Sequence, residues 1–216
     1  TSQAGTSWGD GGLILDGAEG SATSSSQLDA LHGDAAFSVC AWVFPGRAAY
    51  STDINNVEFI VGLDGSGTDT WFALALRRGV PSLEFGGKTR VEHQTGVKLA
   101  LGQWSHVCFS KSPGVKTGTG GASDSTRLFV NGVEASIRLS YSALDGVTFA
   151  QANAAPNLAS TNKLTVGTIG ASSFFQGVVA DVRVFSLAVS QRQVATAFNG
   201  GRVLAWGMHE GQGETV

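Results

Sequence analysis

Clusters of Gly, Asn, Asp and Ser cut the chain into short apolar runs, and each run has strand length and strand composition. GLILD, residues 12–16, is the first such run, and a Ser-rich polar stretch at 21–27 reads as loop. Residues 36–44, AFSVCAWVF, are apolar on both faces, as expected at the centre of a sandwich. Further strands are predicted over 57–63 and 71–76, separated by DGSGTD, and a hairpin over 82–85 and 89–93 around Gly86-Gly87. Residues 104–110 form another run, followed by RLFV and VEASI around Asn131-Gly132. Asn-Gly is the favoured pair for a two-residue hairpin because both central positions need positive φ. Strands at 163–169, 178–185 and 203–206 complete the set. One helix is predicted near 190–198: Ser190 and Gln193 have capping-box spacing, Val194, Ala197 and Phe198 share a face, and Asn199-Gly200-Gly201 supplies a stop. Regular strand spacing with a single short helix predicts an all-β fold, an antiparallel two-sheet β-sandwich or jelly roll.

Composition narrows the class. With 216 residues, 42% hydrophobic and 14% charged, the chain is long enough to bury its own core, and no composition break marks a second domain. Residues 1–216 are therefore expected to form one domain. Thirty glycines against four prolines fit many tight turns. The net charge of −3 comes without a basic run, which argues against nucleic acid or an anionic membrane as partner. No apolar stretch approaches the roughly 18 residues of a membrane span. The chain begins at Thr1 and shows no leader pattern, so a piece of a larger protein is expected.

The two cysteines, Cys40 and Cys108, both sit at the centre of predicted strands. They can be separate buried thiols, or, if their strands are neighbours, the sulfurs can meet. A bond between them would imply an oxidising compartment. No glycosylation sequon occurs to support secretion independently.

Candidate chemistry is sparse. Glycoside hydrolysis needs two carboxylates close together, and Glu58, Glu84, Glu92 and Glu134 stand alone on separate runs, where they read as solvated surface residues; Glu210 and Glu214 lie in a Gly-rich tail. His32, His93, His106 and His209 show no metal-ligand spacing. His106 alternates with Trp104 and Cys108 and reads as a hydrogen-bonded core or semi-core histidine. The Gly-rich pieces DGSGTD and GTGGASD do not lead from a strand into a helix with Lys-Ser/Thr and are not phosphate loops. Asp53, Asp64 and Asp69 cluster around one loop, where turn formation is preferred to calcium ligation. No catalytic or metal residues are assigned. The polar stretches 116–125 and 145–160 are long for loops in a compact domain.

Several segments, in order, resemble the laminin-G-like and pentraxin branch of the concanavalin-A-like jelly rolls. AFSVCAWVFPG is similar to the family's "F-T-[apolar]-x-[AC]-W-V" strand. LGQWSHVCFSKSPG and RLFVNGVEA resemble its "G-x-W-H-H-V-A" strand and "L-Y-V-D-G" hairpin. LTVGTIG, FFQGVVADVRVFSLAVSQRQV and VLAW continue in the family's order. The likeness runs from about Leu13 to Trp206. It implies a disulfide between Cys40 and Cys108, as in pentraxins. Calcium is the cofactor it brings to mind, but the pentraxin ligands are mostly missing. The late loop ASSFFQG, residues 171–177, has no carboxylate, only Asp69 matches the earlier ligand pair, and the family's strand aspartate falls on Ala180 beside Asp181. The paired-glutamate strand of catalytic relatives is also missing.

The resemblance implies a non-catalytic extracellular or cell-surface module for adhesion or carbohydrate binding, recognising a glycan or an extracellular protein surface. The alternative is a structural building block of a fibre, coat or repeat array, packed against copies of itself. Candidate ligand contacts are Asp69, Trp71, Phe174 and Phe175, with Tyr50 beside them.

Overall fold

The computed structural model describes residues 5–9, 11–27, 36–53, 56–64, 72–85, 89–93, 96–112, 126–141, 163–169 and 173–199. The predicted strand at 203–206, the two long polar stretches, and Asp69 and Trp71 lie outside the described residues. The strands are β1 (Thr6–Gly9), β2 (Gly12–Asp16), β3 (Ala22–Gln27), β4 (Phe37–Pro45), β5 (Val57–Asp64), β6 (Phe72–Arg77) and β7 (Val80–Phe85). They continue with β8 (Thr89–His93), β9 (Ser105–Lys111), β10 (Thr126–Val130), β11 (Val133–Ala135), β12 (Ile137–Tyr141), β13 (Lys163–Val166) and β14 (Gln176–Phe185). One helix, α1 (Gln191–Phe198), follows.

The strands form two seven-stranded sheets, ordered β1-β2-β14-β4-β9-β10-β11 and β12-β8-β7-β6-β5-β13-β3, with every pairing between named strands antiparallel. This is the expected two-sheet sandwich. Period-2 alternation decides which side chains meet between the sheets. Val39, Ala41 and Val43 on β4, Val107 and Phe109 on β9, and Leu74 and Leu76 on β6 all point into one core. Phe37 and Phe72 stack across it with ring centroids 4.5 Å apart. Each fully buried side chain of this size stabilises the fold by roughly 1.5–3 kcal/mol.

The alternate residues of β4, β9 and β10 face outward, and there Cys40, Cys108 and Phe129 form a second cluster with Val189 and Val194. Cys40 and Cys108 lie directly opposite in the β4–β9 ladder and are disulfide-bonded. The bond closes 68 residues of chain, a constraint that stabilises by about 4 kcal/mol in the chain-entropy picture. The segment leading into α1 is sewn onto this face. Ser38 Oγ donates to the Leu187 carbonyl at 2.7 Å and accepts from Val189 N–H at 2.9 Å, and Ser110 Oγ donates to the Val189 carbonyl at 2.9 Å. The capping box at Ser190 and Gln193 is present, and Val194 is the buried contact of the helix.

The Ser-rich stretch expected as loop is β3. It is an edge strand paired with β13, and Ser24 Oγ accepts from Leu164 N–H at 3.1 Å. An edge position tolerates a polar strand because solvent faces its open side.

Candidate functional site

At one end of the sandwich the chain crosses from β4 in one sheet to β5 in the other. The crossing segment is anchored at both ends: Gly46 N–H donates to the Gln176 carbonyl at 3.0 Å, and Asn56 accepts from Arg78 N–H at 3.3 Å. It carries Arg47 and Tyr50. The Tyr50 ring rests on Gly79, where an added Cβ would come within 2.5 Å of ring carbons, and Gly79 also has φ of +87°. Only glycine meets both demands. Leu99 N–H donates to the Gly79 carbonyl at 3.0 Å, which brings Lys98 over the Tyr50 ring, its Nζ 5.9 Å from the centroid.

Glu58 sits beneath this segment. It pairs with Leu76 in the β5–β6 ladder, so it faces the inter-sheet side, and it is only 2% exposed. Sequence reasoning placed Glu58 and Glu84 on the solvated surface; both are buried, because each has an arginine to neutralise it. Glu58 Oε2 lies 3.0 Å from Arg47 Nε, but off the line of the N–H, so the contact is an ion pair without a well-formed hydrogen bond. Burial pushes the Glu58 carboxyl above the usual carboxylate range, with Arg47 and the Gln176 backbone pulling it back. Burial also raises the Tyr50 phenol, and the Glu58 charge adds to that rise while Arg47 opposes it.

The rim is unusual in what it leaves unmet. Among the described residues, seven buried side-chain polar atoms lack a hydrogen-bond partner, and five belong to this one place: Arg47 Nε, Tyr50 Oη, Asn56 Oδ1, Glu58 Oε1 and Arg78 Nε. Each such atom costs about 1–3 kcal/mol if nothing satisfies it. The set offers acceptors (Glu58, Asn56, Tyr50) and donors (Tyr50, Arg78) side by side.

The Phe174 backbone runs alongside the start of β5. Phe59 N–H donates to the Ser173 carbonyl at 2.9 Å, and Phe59 and Phe174 form an isolated bridge one residue after Glu58. Phe174 is half-buried. Phe175, its expected partner in a contact loop, is fully buried in the core, so its ring packs the sandwich and meets no surface ligand. Tyr50 is therefore at the rim, whereas Phe174, bridged to Phe59, shares the sheet face opposite to Glu58; Asp69 and Trp71 lie outside the described residues. Glu58, Arg47 and Arg78 carried no sequence signal beyond being charged residues next to strands.

Glu58 is the one buried carboxylate at this rim among the described residues. Glu84 pairs with Ala73 and therefore lies on the other face of the same sheet. The two-carboxylate geometry of glycoside hydrolysis is not formed by this pair. Among the described residues no three His, Cys, Asp or Glu side chains gather into a metal-binding group. Asp53 is exposed, and Asp181 is engaged by Arg183 at 2.7 and 2.8 Å. His106 is buried as expected and packs against Trp42 and Phe198, but its Nδ1 has no partner, and desolvation lowers its pKa to about 4.

Two packed antiparallel sheets with an outer helix define a jelly-roll β-sandwich. The chain belongs to the concanavalin A-like lectin/glucanases superfamily, whose laminin-G model matches residues 16–195. No characterised protein sequence matches it. Among solved structures it is similar to domain 4 of AbnA, an extracellular arabinanase of Geobacillus stearothermophilus, solved in complex with arabinotriose (TM-score 0.58, 16% identity, 89% of this chain and 81% of that one). It is also similar to the binding domain of botulinum neurotoxin serotype G (TM-score 0.57, 11% identity, 92% of this chain and 46% of that one). A third similarity is to the heptameric SAP-like pentraxin of Limulus polyphemus (TM-score 0.51, 14% identity, 78% and 71%). At these identities the likeness is one of fold.

Proposed function

We propose that the domain is a non-catalytic carbohydrate-binding module of a secreted or cell-surface protein, and that the rim around Glu58 holds the sugar. The observation that carries this reading is the cluster of unmet polar atoms at Arg47, Tyr50, Asn56, Glu58 and Arg78. A sugar presents hydroxyls that both donate and accept, and a site for it needs a few fixed polar groups beside an apolar surface. Tyr50 supplies that surface. The disulfide fits an oxidising, extracellular setting. The arabinanase domain solved with arabinotriose supports the reading by fold alone.

The test is a glycan array followed by titration calorimetry on the best ligand. Tyr50→Phe is expected to weaken binding about tenfold, one lost contact's worth, and Phe174→Ala, beside the rim, by less. Both variants binding like wild type would move the site elsewhere. Phe175 is left intact, because its truncation would open a core cavity.

A second reading, a building block packed against its own copies, is favoured by the exposed Trp8, Ile14 and Trp104. Sedimentation showing self-association that Ile14→Glu abolishes would support it; a monomer at high concentration would count against it.

A further inference from the structure

Two hairpin turns of this chain have nearly the same backbone. Asn131-Gly132 joins β10 to β11 with φ of 52° and 79°, and Arg78-Gly79 joins β6 to β7 with φ of 52° and 87°. Asn suits the left-handed region, and Asn131 Oδ1 also accepts from His106 N–H at 2.8 Å on the neighbouring strand β9. A long side chain gains nothing there, so an arginine at position 78 is not explained by the turn. Its Nε–H is buried and meets no acceptor in the protein. Lys98 stands on the neighbouring segment, exposed, with its ammonium above the Tyr50 ring.

The charges at the rim follow from these placements. Arg47 and Glu58 neutralise one another at 3.0 Å. Arg78 and Lys98 then outnumber the one other carboxylate on the crossing segment, the exposed Asp53, on a chain of net charge −3. A carboxylate is the group whose two oxygens match the parallel N–H bonds of a guanidinium fork.

Resting on the reading of the rim as the sugar site, we infer that its ligand is an acidic sugar, a uronate-bearing oligosaccharide. Its carboxylate is held by Arg78 with Lys98 beside it, while its hydroxyls meet Glu58, Asn56 and Tyr50. Arg78 is then the residue that sets charge specificity.

The experiment is titration calorimetry of the intact domain with oligomers of galacturonate, glucuronate and mannuronate. Their carboxyl-reduced, neutral counterparts are measured beside them, at low and at 0.3 M salt, a shift from weak to strong screening at about the Debye lengths of those solutions. Wild type is expected to bind at least one acidic oligomer about tenfold more tightly than its neutral form. The preference should shrink with salt. Arg78→Asn is the key variant, because Asn favours the turn while removing the guanidinium; its melting temperature should hold or rise while the acid preference disappears. Lys98→Gln should reduce the preference without abolishing it. Equal binding of acidic and neutral forms, or an Arg78→Asn protein that keeps the preference, overturns the inference and leaves the rim as a neutral-sugar site. Binding of neither form, in wild type and across neutral glycans alike, overturns the rim reading as well.

Discussion

Two buried glutamate–arginine pairs sit on the same sheet, and they are built differently. Glu84, 4% exposed, receives Arg77 through both oxygens, Nε to Oε1 at 3.0 Å and Nη2 to Oε2 at 3.3 Å, and a third bond from Ser82 Oγ at 3.3 Å. Glu58, 2% exposed, has the ion pair to Arg47, the Gln176 backbone beside it, and an Oε1 without a hydrogen-bond partner. Burial drives a carboxylate towards its neutral form where its lone pairs are left unfilled, as at Glu58. The first pair is complete as a structural element. The second leaves one acceptor open, which the sugar of the proposed function would fill.

The sharpest way to break this contrast is the same substitution at both glutamates. Glu84→Gln keeps the shape but turns an amide N–H towards the Arg77 fork, and is expected to destabilise by about 3 kcal/mol. Urea denaturation measures it, and a loss below about 1 kcal/mol would mean that the finished pair does not act as one.

His106 sharpens the comparison from a third position, since its Nδ1 is also unmet but stands away from the rim cluster. Its folded pKa of about 4 lies below the ordinary 6.5, so the unfolded chain takes the proton first. Stability is full above about pH 6.5 and falls as the pH drops towards 4, by up to about 3 kcal/mol for this group. Glu58 acts with the opposite sign: its raised folded pKa means that acid relieves a cost as the pH falls through it. Urea melts at pH 7 and 4.5 on wild type and His106→Gln should therefore diverge, the variant losing the acid sensitivity. Parallel pH profiles would show that His106 is already hydrated or charged in the folded state.

Most of the fold was readable because burial enforces pattern. The central strands β4, β5, β6, β9 and β14 announced themselves by apolar runs, the 131–132 hairpin by Asn-Gly, and α1 by its capping box. The edge strands β1 and β3 did not, because one side of an edge faces solvent and needs no apolar signature. The disulfide followed from a family likeness laid over two strand-centred cysteines, and it is formed. The candidate site was largely illegible. A buried glutamate and a surface glutamate are the same letter, and only the fold shows that Arg47 meets Glu58 while the Arg78 backbone is bonded to Asn56, two residues before Glu58. The expected loop aromatics divided for a similar reason: Phe174 is half-buried on the outer side with Phe59, and Phe175, one residue on along an extended chain, faces the core.

Glu58→Gln tests the central claim most directly when folding and binding are measured on the same sample. It removes a buried charge that burial disfavours and leaves Arg47 an amide oxygen, so stability is expected to change by no more than about 1 kcal/mol. Affinity for the best glycan is expected to fall at least about tenfold, because the unfilled acceptor is lost. A variant that unfolds like Glu84→Gln while any bound glycan is held as tightly as before would contradict the contrast: Glu58 would then be a structural group, and the rim would not be the binding site.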